Sequence, residues 1–469
     1  MSFNSIEYLF FLPIVFLLYW FVFKSVKLQN LFLVVVSYIF YGWWDWRFLI
    51  LIALTSICSF LTGIYIGKQR RYARVYAAFN IIVNIFILGV FKYYNFFAEN
   101  IQSLLSTIGV NADLATLRII LPVGISFYTF QALSYTIDVY RGKISATHDI
   151  VSFFAYICFF PQLVAGPIER ASNLLPQMRS KRIFNYSQAV DGIEQVVWGL
   201  FKKMVIADNC AKYVNVVWSD YANQNSWTLI SGGIFFSFQI YGDFSGYSDI
   251  AIGSAKLFGI RLMRNFRLPY FSLSIPDFWK RWHISLNTWF VDYLYIPLGG
   301  SRCPKWKWFR NTIIIFIVSG LWHGANWTFI FWGGYHAMLF LPYMFLGKTK
   351  SDSSLEKLTF KKAVGILTTF SFVVIGWVIF RSADIGEAYD YLQGMFTNGN
   401  VGLSSISIFA YRYIILLLII EWCSRNHEHP LRLVHSIRYP VIRLAFYILA
   451  VLFVLTFAAP SQGFIYFQF

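Results

Sequence analysis

Three histidines stand out among the residues able to do chemistry: His283 in WHIS, His323 in WHGAN and His336 in GGYHA. Imidazole is the one side chain that exchanges a proton near neutral pH without large tuning, which suits a general base. His323 falls in the run Asn311–Leu346, which holds no Asp, Glu, Lys or Arg. That run is nearly twice the length of one membrane crossing and is interrupted by Gly320 and by Gly324, Ala325 and Asn326, so a break is expected there. Irregular backbone at membrane depth is tolerated only where protein or a water-filled cavity satisfies it, so 322–326 is expected to line an internal space. These residues alone leave both a functional His323 and a satisfied core histidine open. His336 lies on the following helix beside Gly333, Gly334 and Tyr335.

His283 sits in a different setting. Ser274, Pro276 and Asp277 mark a helix start, where the serine oxygen accepts a free backbone N–H and the carboxylate answers it. The predicted helix, 275–292, puts Phe278, Trp282, Leu286 and Trp289 on one stripe and Lys280, His283 and Asn287 on another. It reads as an interfacial or cavity-lining helix with His283 toward polar surroundings, and a hydrogen-bonded structural histidine is the plainer reading. Asp243 and Asp249 follow directly on the apolar run 226–241. A carboxylate near membrane depth is retained for pairing or for chemistry, and pairing with an Arg of the same region is the expectation.

The elements that must position these groups are apolar. Of 469 residues, 58% are hydrophobic and 13% charged, against about 25% charged in soluble domains. Apolar runs near 6–23, 29–45, 47–67, 75–97, 115–139, 150–168, 186–207, 226–241, 311–346, 361–381, 407–423 and 437–459 imply an all-α, multi-pass bundle of about eleven crossings, 1–469 forming a single domain. The first run lacks a basic flank and a cleavage site, so it reads as a retained helix. The net charge of +17 lies in short clusters between the runs, as in cytoplasmic loops, and not in a nucleic-acid surface. Lys24 and Lys27, then Lys68, Arg70, Arg71 and Arg74, share one side, which puts the N-terminus outside. Segment 169–184 mixes Arg170, Arg179, Lys181 and Arg182 with Leu174, Leu175, Met178 and Ile183; a surface-lying segment on anionic lipid and an ordinary loop are both open. The five cysteines form no CxxC pair and read as small buried hydrophobes, without a disulfide framework or a metal site. No internal repeat is visible, which weakens a transporter built on inverted repeats.

Several extended blocks carry a resemblance: PVGISFYTFQALSYTIDVYRG at 122–142, FFPQLVAGPIER at 159–170, DFSGYSDIAIG at 243–253, DFWKRWHISLNTWFVDYLYIPLGG at 277–300, WHGANWTFIFWGGYHA at 322–337 and the ending FIYFQF. In these the chain resembles the membrane-bound O-acyltransferase family, in its branch of alginate and peptidoglycan O-acetyltransferases and the teichoic acid D-alanyl transfer protein. The core motifs span about 122–340. The resemblance implies spanning, re-entrant and interfacial helices around a central funnel, and a multi-pass protein of the bacterial inner membrane. It implies that His323 is the essential histidine and His283 a second catalytic one. His336 matches a histidine often seen in the branch, and Asn326, Asp243 and Asp249 are expected in support. The implied donor is cytoplasmic acetyl-CoA, with no bound cofactor, and Lys280, Arg281, Arg261 and Arg264 are candidates for its phosphates or simply loop charges. An extracytoplasmic SGNH-type partner, with a serine hydrolase-like fold, is implied as receiver of the acetyl group for an exported polysaccharide. Transfer of D-alanyl or another acyl group from an acyl carrier protein, and a non-enzymatic transporter or flippase, are the alternatives.

Overall fold

A computed structural model describes residues 1–110, 116, 121–347, 358–399 and 406–465. Among these the protein is helical, with 77% of residues in helices and no strand. The described residues pack as two compact units, and the chain passes between them within two helices.

The first unit comprises Met1–Ala189 and Ser254–Met263. It holds α1 (Ile6–Leu17), α2 (Val26–Gly42), α3 (Leu49–Lys68), α4 (Ala73–Leu88), α5 (Tyr94–Thr107), α6 (Ile125–Tyr140), α7 (Ile150–Cys158), α8 (Phe160–Leu163), α9 (Ala171–Arg179) and the start of α10 (Tyr186–Leu200). Ser5, Ser25 and Asp149 accept backbone N–H groups at the starts of α1, α2 and α7, so the local sequence marks where these helices begin. The apolar run 150–168 is not one crossing: α7 has nine residues, and the backbone leaves the helix at Phe159. On α9 the side chains of Leu174, Leu175 and Met178 are buried in protein, and Arg182 is buried with Nη2 donating to Asn30 Oδ1 at 2.7 Å. Leu174, Leu175 and Met178 therefore pack on the unit itself, whereas Ile183 is exposed.

The second unit, Val190–Gly253 and Arg264–Phe469, carries all three histidines. Its helices are the rest of α10, α11 (Asp208–Ser219), α12 (Ser226–Leu257), α13 (Ile275–Arg281), α14 (Ile284–Phe290), α15 (Lys305–His323), α16 (Trp327–Phe345), α17 (Phe360–Arg381), α18 (Ile385–Thr397), α19 (Arg412–Cys423) and α20 (Pro440–Phe457). α12 runs 32 residues, straight through the polar sequence after 241. It can do so because that sequence faces protein: Phe244, Ser245, Tyr247 and Ser248 are all buried. Gly242 and Gly246 let α12 approach the turn at Gly199–Lys202 so closely that a Cβ on Gly246 would lie 2.7 Å from the Gly199 carbonyl, the small-xxx-small packing used where backbones must touch.

Among the described residues, four segments are long and apolar enough to cross a membrane by themselves: Trp46–Lys68, Arg70–Thr107, Phe360–Arg381 and Pro440–Phe457. α20 buries almost nothing, leaving Val441, Leu444, Leu449 and Leu455 exposed, as suits a helix that faces lipid. The start of the run 115–139 and the end of FIYFQF lie outside the described residues.

Candidate active site

The break in the run 311–346 is where the glycines place it. α15 ends at His323, Gly324 is extended, and α16 begins after Asn326, whose side-chain oxygen accepts from Thr328 N at 3.1 Å. Its Nδ2 donates to Ala383 O at 2.7 Å, so the Asn326 amide both caps α16 and tethers the break to Ala383. α15 and α16 press together because a Cβ on Gly320 would strike the Phe329 carbonyl and one on Gly333 the Phe316 carbonyl.

His323 is buried, with its ring 5.0 Å from Trp322, 5.3 Å from Trp332 and 5.3 Å from Phe380. Trp332 also lies 5.0 Å from His336, and Trp322 lies 5.8 Å from His283. The structure thus strings the histidines with tryptophans between them: His283, Trp322, His323, Trp332, His336. His336 is buried in a box of Phe278, Trp279, Trp332 and Tyr335, and neither of its ring nitrogens has a hydrogen-bond partner among the described residues. Gly376 stands opposite it, where a Cβ would come within 2.7 Å of Nε2.

The expected helix 275–292 is two helices. Ser274 Oγ accepts from Asp277 N at 3.3 Å, and Asp277 answers by accepting from Leu273 N at 3.0 Å, so the start is as expected. The helix stops at Arg281, and His283 adopts φ +44° before α14 begins. The stripe of Lys280, His283 and Asn287 is therefore lost: Lys280 is exposed, while His283 is buried against Phe244 at 4.7 Å and Phe266 at 6.4 Å. Its surroundings are aromatic, with Asn265 Oδ1 3.2 Å from Nδ1. The residue missed from sequence is Asn265, which sits in a short irregular segment carrying no helical pattern.

Asp243 and Asp249 pair with lysines and not with an arginine. Asp243 lies 2.7 Å from Lys203, which also holds Asp208 at 2.9 Å, all three nearly fully buried. Asp249 lies 2.5 Å from Lys202 and accepts from Gln195 at 2.8 Å. Two carboxylates sharing one buried ammonium is an arrangement of charge pairing. The Lys203 cluster also holds the chain end: Gln462 N donates to Asp208 and Ile465 N to Asp243.

Of the proposed phosphate ligands, Arg281 is buried with Nε donating to Asp277 at 2.9 Å, an ion pair that braces α13. Arg264, with Lys202, Asp249, Asn265, Glu421 and His427, lines a polar cavity of about 430 Å³. Lys280 borders a larger, mainly apolar cavity of about 1060 Å³ with Trp279, Ile284, Ile315 and Phe316. Arg261 is exposed in the first unit. Asp191, Glu194 and His429 bring ligand atoms within 4.8 Å of one another, but Arg432 at 2.6 Å from Asp191 and His435 at 2.6 Å from Glu194 already answer the carboxylates.

Comparison with known proteins matches residues 31–383 to the model of the membrane-bound O-acyltransferase family. The chain belongs to that family. The probable alginate O-acetylase of Pseudomonas aeruginosa is 39% identical over 413 residues, 87% of this chain and 77% of the relative. The peptidoglycan O-acetyltransferase of Helicobacter pylori is 32% identical over 524 aligned positions, covering 100% of this chain and 97% of the relative. The teichoic acid D-alanyltransferase of Bacillus subtilis is 29% identical across 55% of this chain and 68% of its own length. The protein is thus a membrane O-acyltransferase.

Proposed function

We propose that this acyltransferase passes an acetyl group from cytoplasmic acetyl-CoA across the bacterial inner membrane, N-terminus outside, for O-acetylation of an exported polysaccharide. The observation that carries the site is the placement of His323: buried at a glycine break, at a helix end, flanked by the two tryptophans that touch His283 and His336. The likeness to alginate and peptidoglycan O-acetylases supports acetyl over D-alanyl.

A hydroxyl is a weak nucleophile at neutral pH and needs a base as it attacks the thioester carbonyl. In this reading His323 takes the hydroxyl proton, the C–S bond breaks as the ester C–O bond forms, and the imidazolium returns its proton to the leaving thiolate. The Asn326 side chain being engaged and the Gly324 N–H bonded to the Gly320 carbonyl, the backbone N–H groups of Ala325 and Asn326 serve the oxyanion, a role worth about 2.7–4 kcal/mol per donor in soluble enzymes. Arg264, beside the polar cavity, is the remaining inward candidate for the donor's phosphates. The polymer is too large for a buried site, so an SGNH-type partner receives the acetyl group and delivers it.

The test is release of free CoA from acetyl-CoA by the purified protein, with and without its extracytoplasmic partner, comparing wild type with His323→Ala. Partner-dependent release that the variant loses supports the reading. Release only from a carrier-bound thioester would move the donor to a carrier protein, and full activity in His323→Ala would remove the histidine's role.

A further inference from the structure

Asn265 is wholly buried and ties three segments together. Its Oδ1 receives Ser285 N at 3.3 Å, Ser285 Oγ at 2.7 Å and His283 Nδ1 at 3.2 Å. Its Nδ2 donates to Ser248 Oγ on α12 at 3.2 Å, and its backbone carbonyl accepts from Ile284 N at 2.9 Å. A backbone N–H can only donate, so the side of the amide facing Ser285 N must be the oxygen. An oxygen there can only accept from His283, so Nδ1 of that ring must carry a proton. A neutral imidazole has one N–H, so Nε2 is left as a bare lone pair; it is buried and has no hydrogen-bond partner among the described residues. The backbone holds the ring in place as well, since φ +44° is a conformation that a residue with a Cβ adopts only when its surroundings impose it. Among the described residues the aromatic rings against it are Phe244, Phe266 and Trp322 and its hydrogen-bond partner is Asn265, none of them charged.

We infer that Asn265 is a positioning residue that locks His283 in the Nδ1–H tautomer, so that this histidine works through Nε2 by accepting a proton or a hydrogen bond and not by giving one. The inference rests on the acyltransferase site proposed above for its functional meaning, but its structural half stands without any assay. A neutral amide behind the ring steadies an imidazolium less than a carboxylate does, so the arrangement fits a histidine that stays neutral while it orients a substrate.

The first test is nitrogen NMR of the full-length, ligand-free protein with labelled histidines, the His283 signals being those lost in His283→Gln. Nδ1 showing the one-bond proton coupling and Nε2 the downfield position of an unprotonated nitrogen is expected; the reverse assignment overturns the inference. The second uses the transfer assay. Asn265→Ala is expected to lower kcat about tenfold, as loss of its hydrogen bond to the His283 ring implies, with KM nearly unchanged. Asn265→Asp is expected to move the acid limb of the pH–rate profile to higher pH, because a carboxylate behind Nδ1–H stabilises the charged ring. A merely structural role lowers activity with both limbs in place, and that result also overturns it. If wild type transfers nothing, the function proposed above fails, while the tautomer measurement still decides the role of Asn265.

Discussion

The two histidine-bearing breaks of the second unit are built on different physics. At 323–326 the chain stops because small residues let α15 and α16 touch, and His323 is held by aromatic walls from Trp322, Trp332 and Phe380. At 281–284 the chain stops in a left-handed turn that hydrogen bonds maintain: Ile284 N and the His283 ring to Asn265, and Arg281 to Asp277. Packing sets where a ring lies, whereas hydrogen bonding sets which nitrogen carries the proton. Under the function proposed above this divides the labour, with His323 fixed in position by packing and His283 held in a defined protonation state.

The contrast breaks first at His323. His323→Ala is expected to cut acetyl transfer by about 10²–10⁴-fold, the range for a general acid–base group, with size-exclusion elution of the folded protein unchanged. Next comes Arg281→Ala, which strands the buried Asp277 carboxylate and is expected to cost about 3–5 kcal/mol of stability. Thermal unfolding in detergent reads this, and a selective rise in KM for acetyl-CoA with unchanged stability would restore Arg281 as a phosphate ligand. Gly320→Ala adds one methyl that meets the Phe329 carbonyl, and overpacking of this kind costs about 1–3 kcal/mol; the same unfolding assay measures it, and an unchanged melting temperature would mean that the packed break can spread. Smallest is Ser285→Ala, which deletes one of three hydrogen bonds to Asn265 Oδ1 and is expected to lower stability by about 0.5–1.5 kcal/mol, with transfer activity reduced only slightly.

Some of this was legible before any coordinates. Gly320 and Gly324 in an uncharged run too long for one crossing announced the break at His323, because a helix cannot carry such a run across a bilayer and back without stopping. Ser274 and Asp277 announced the start of α13 through local capping chemistry. The end of α13 was not legible, since nothing between Trp282 and Ile284 interrupts a helical pattern; the turn there exists because Asn265, 18 residues earlier, supplies its partners. The lysines that pair Asp243 and Asp249 were hidden for the same reason: Lys202 and Lys203 stand inside the apolar run 186–207, and no local pattern couples them to α12.

By itself, the sequence determined the solvent, the helical class, the family blocks and the place of the glycine break, all of which follow from composition, period and local backbone preference. Only the tertiary structure decided that three histidines from separate segments alternate with Trp322 and Trp332, that the acidic pair is neutralised by lysines, and that Asn265 dictates the proton on His283. Those are contacts between residues distant along the chain, and no local pattern encodes which of the available partners packing will bring within reach.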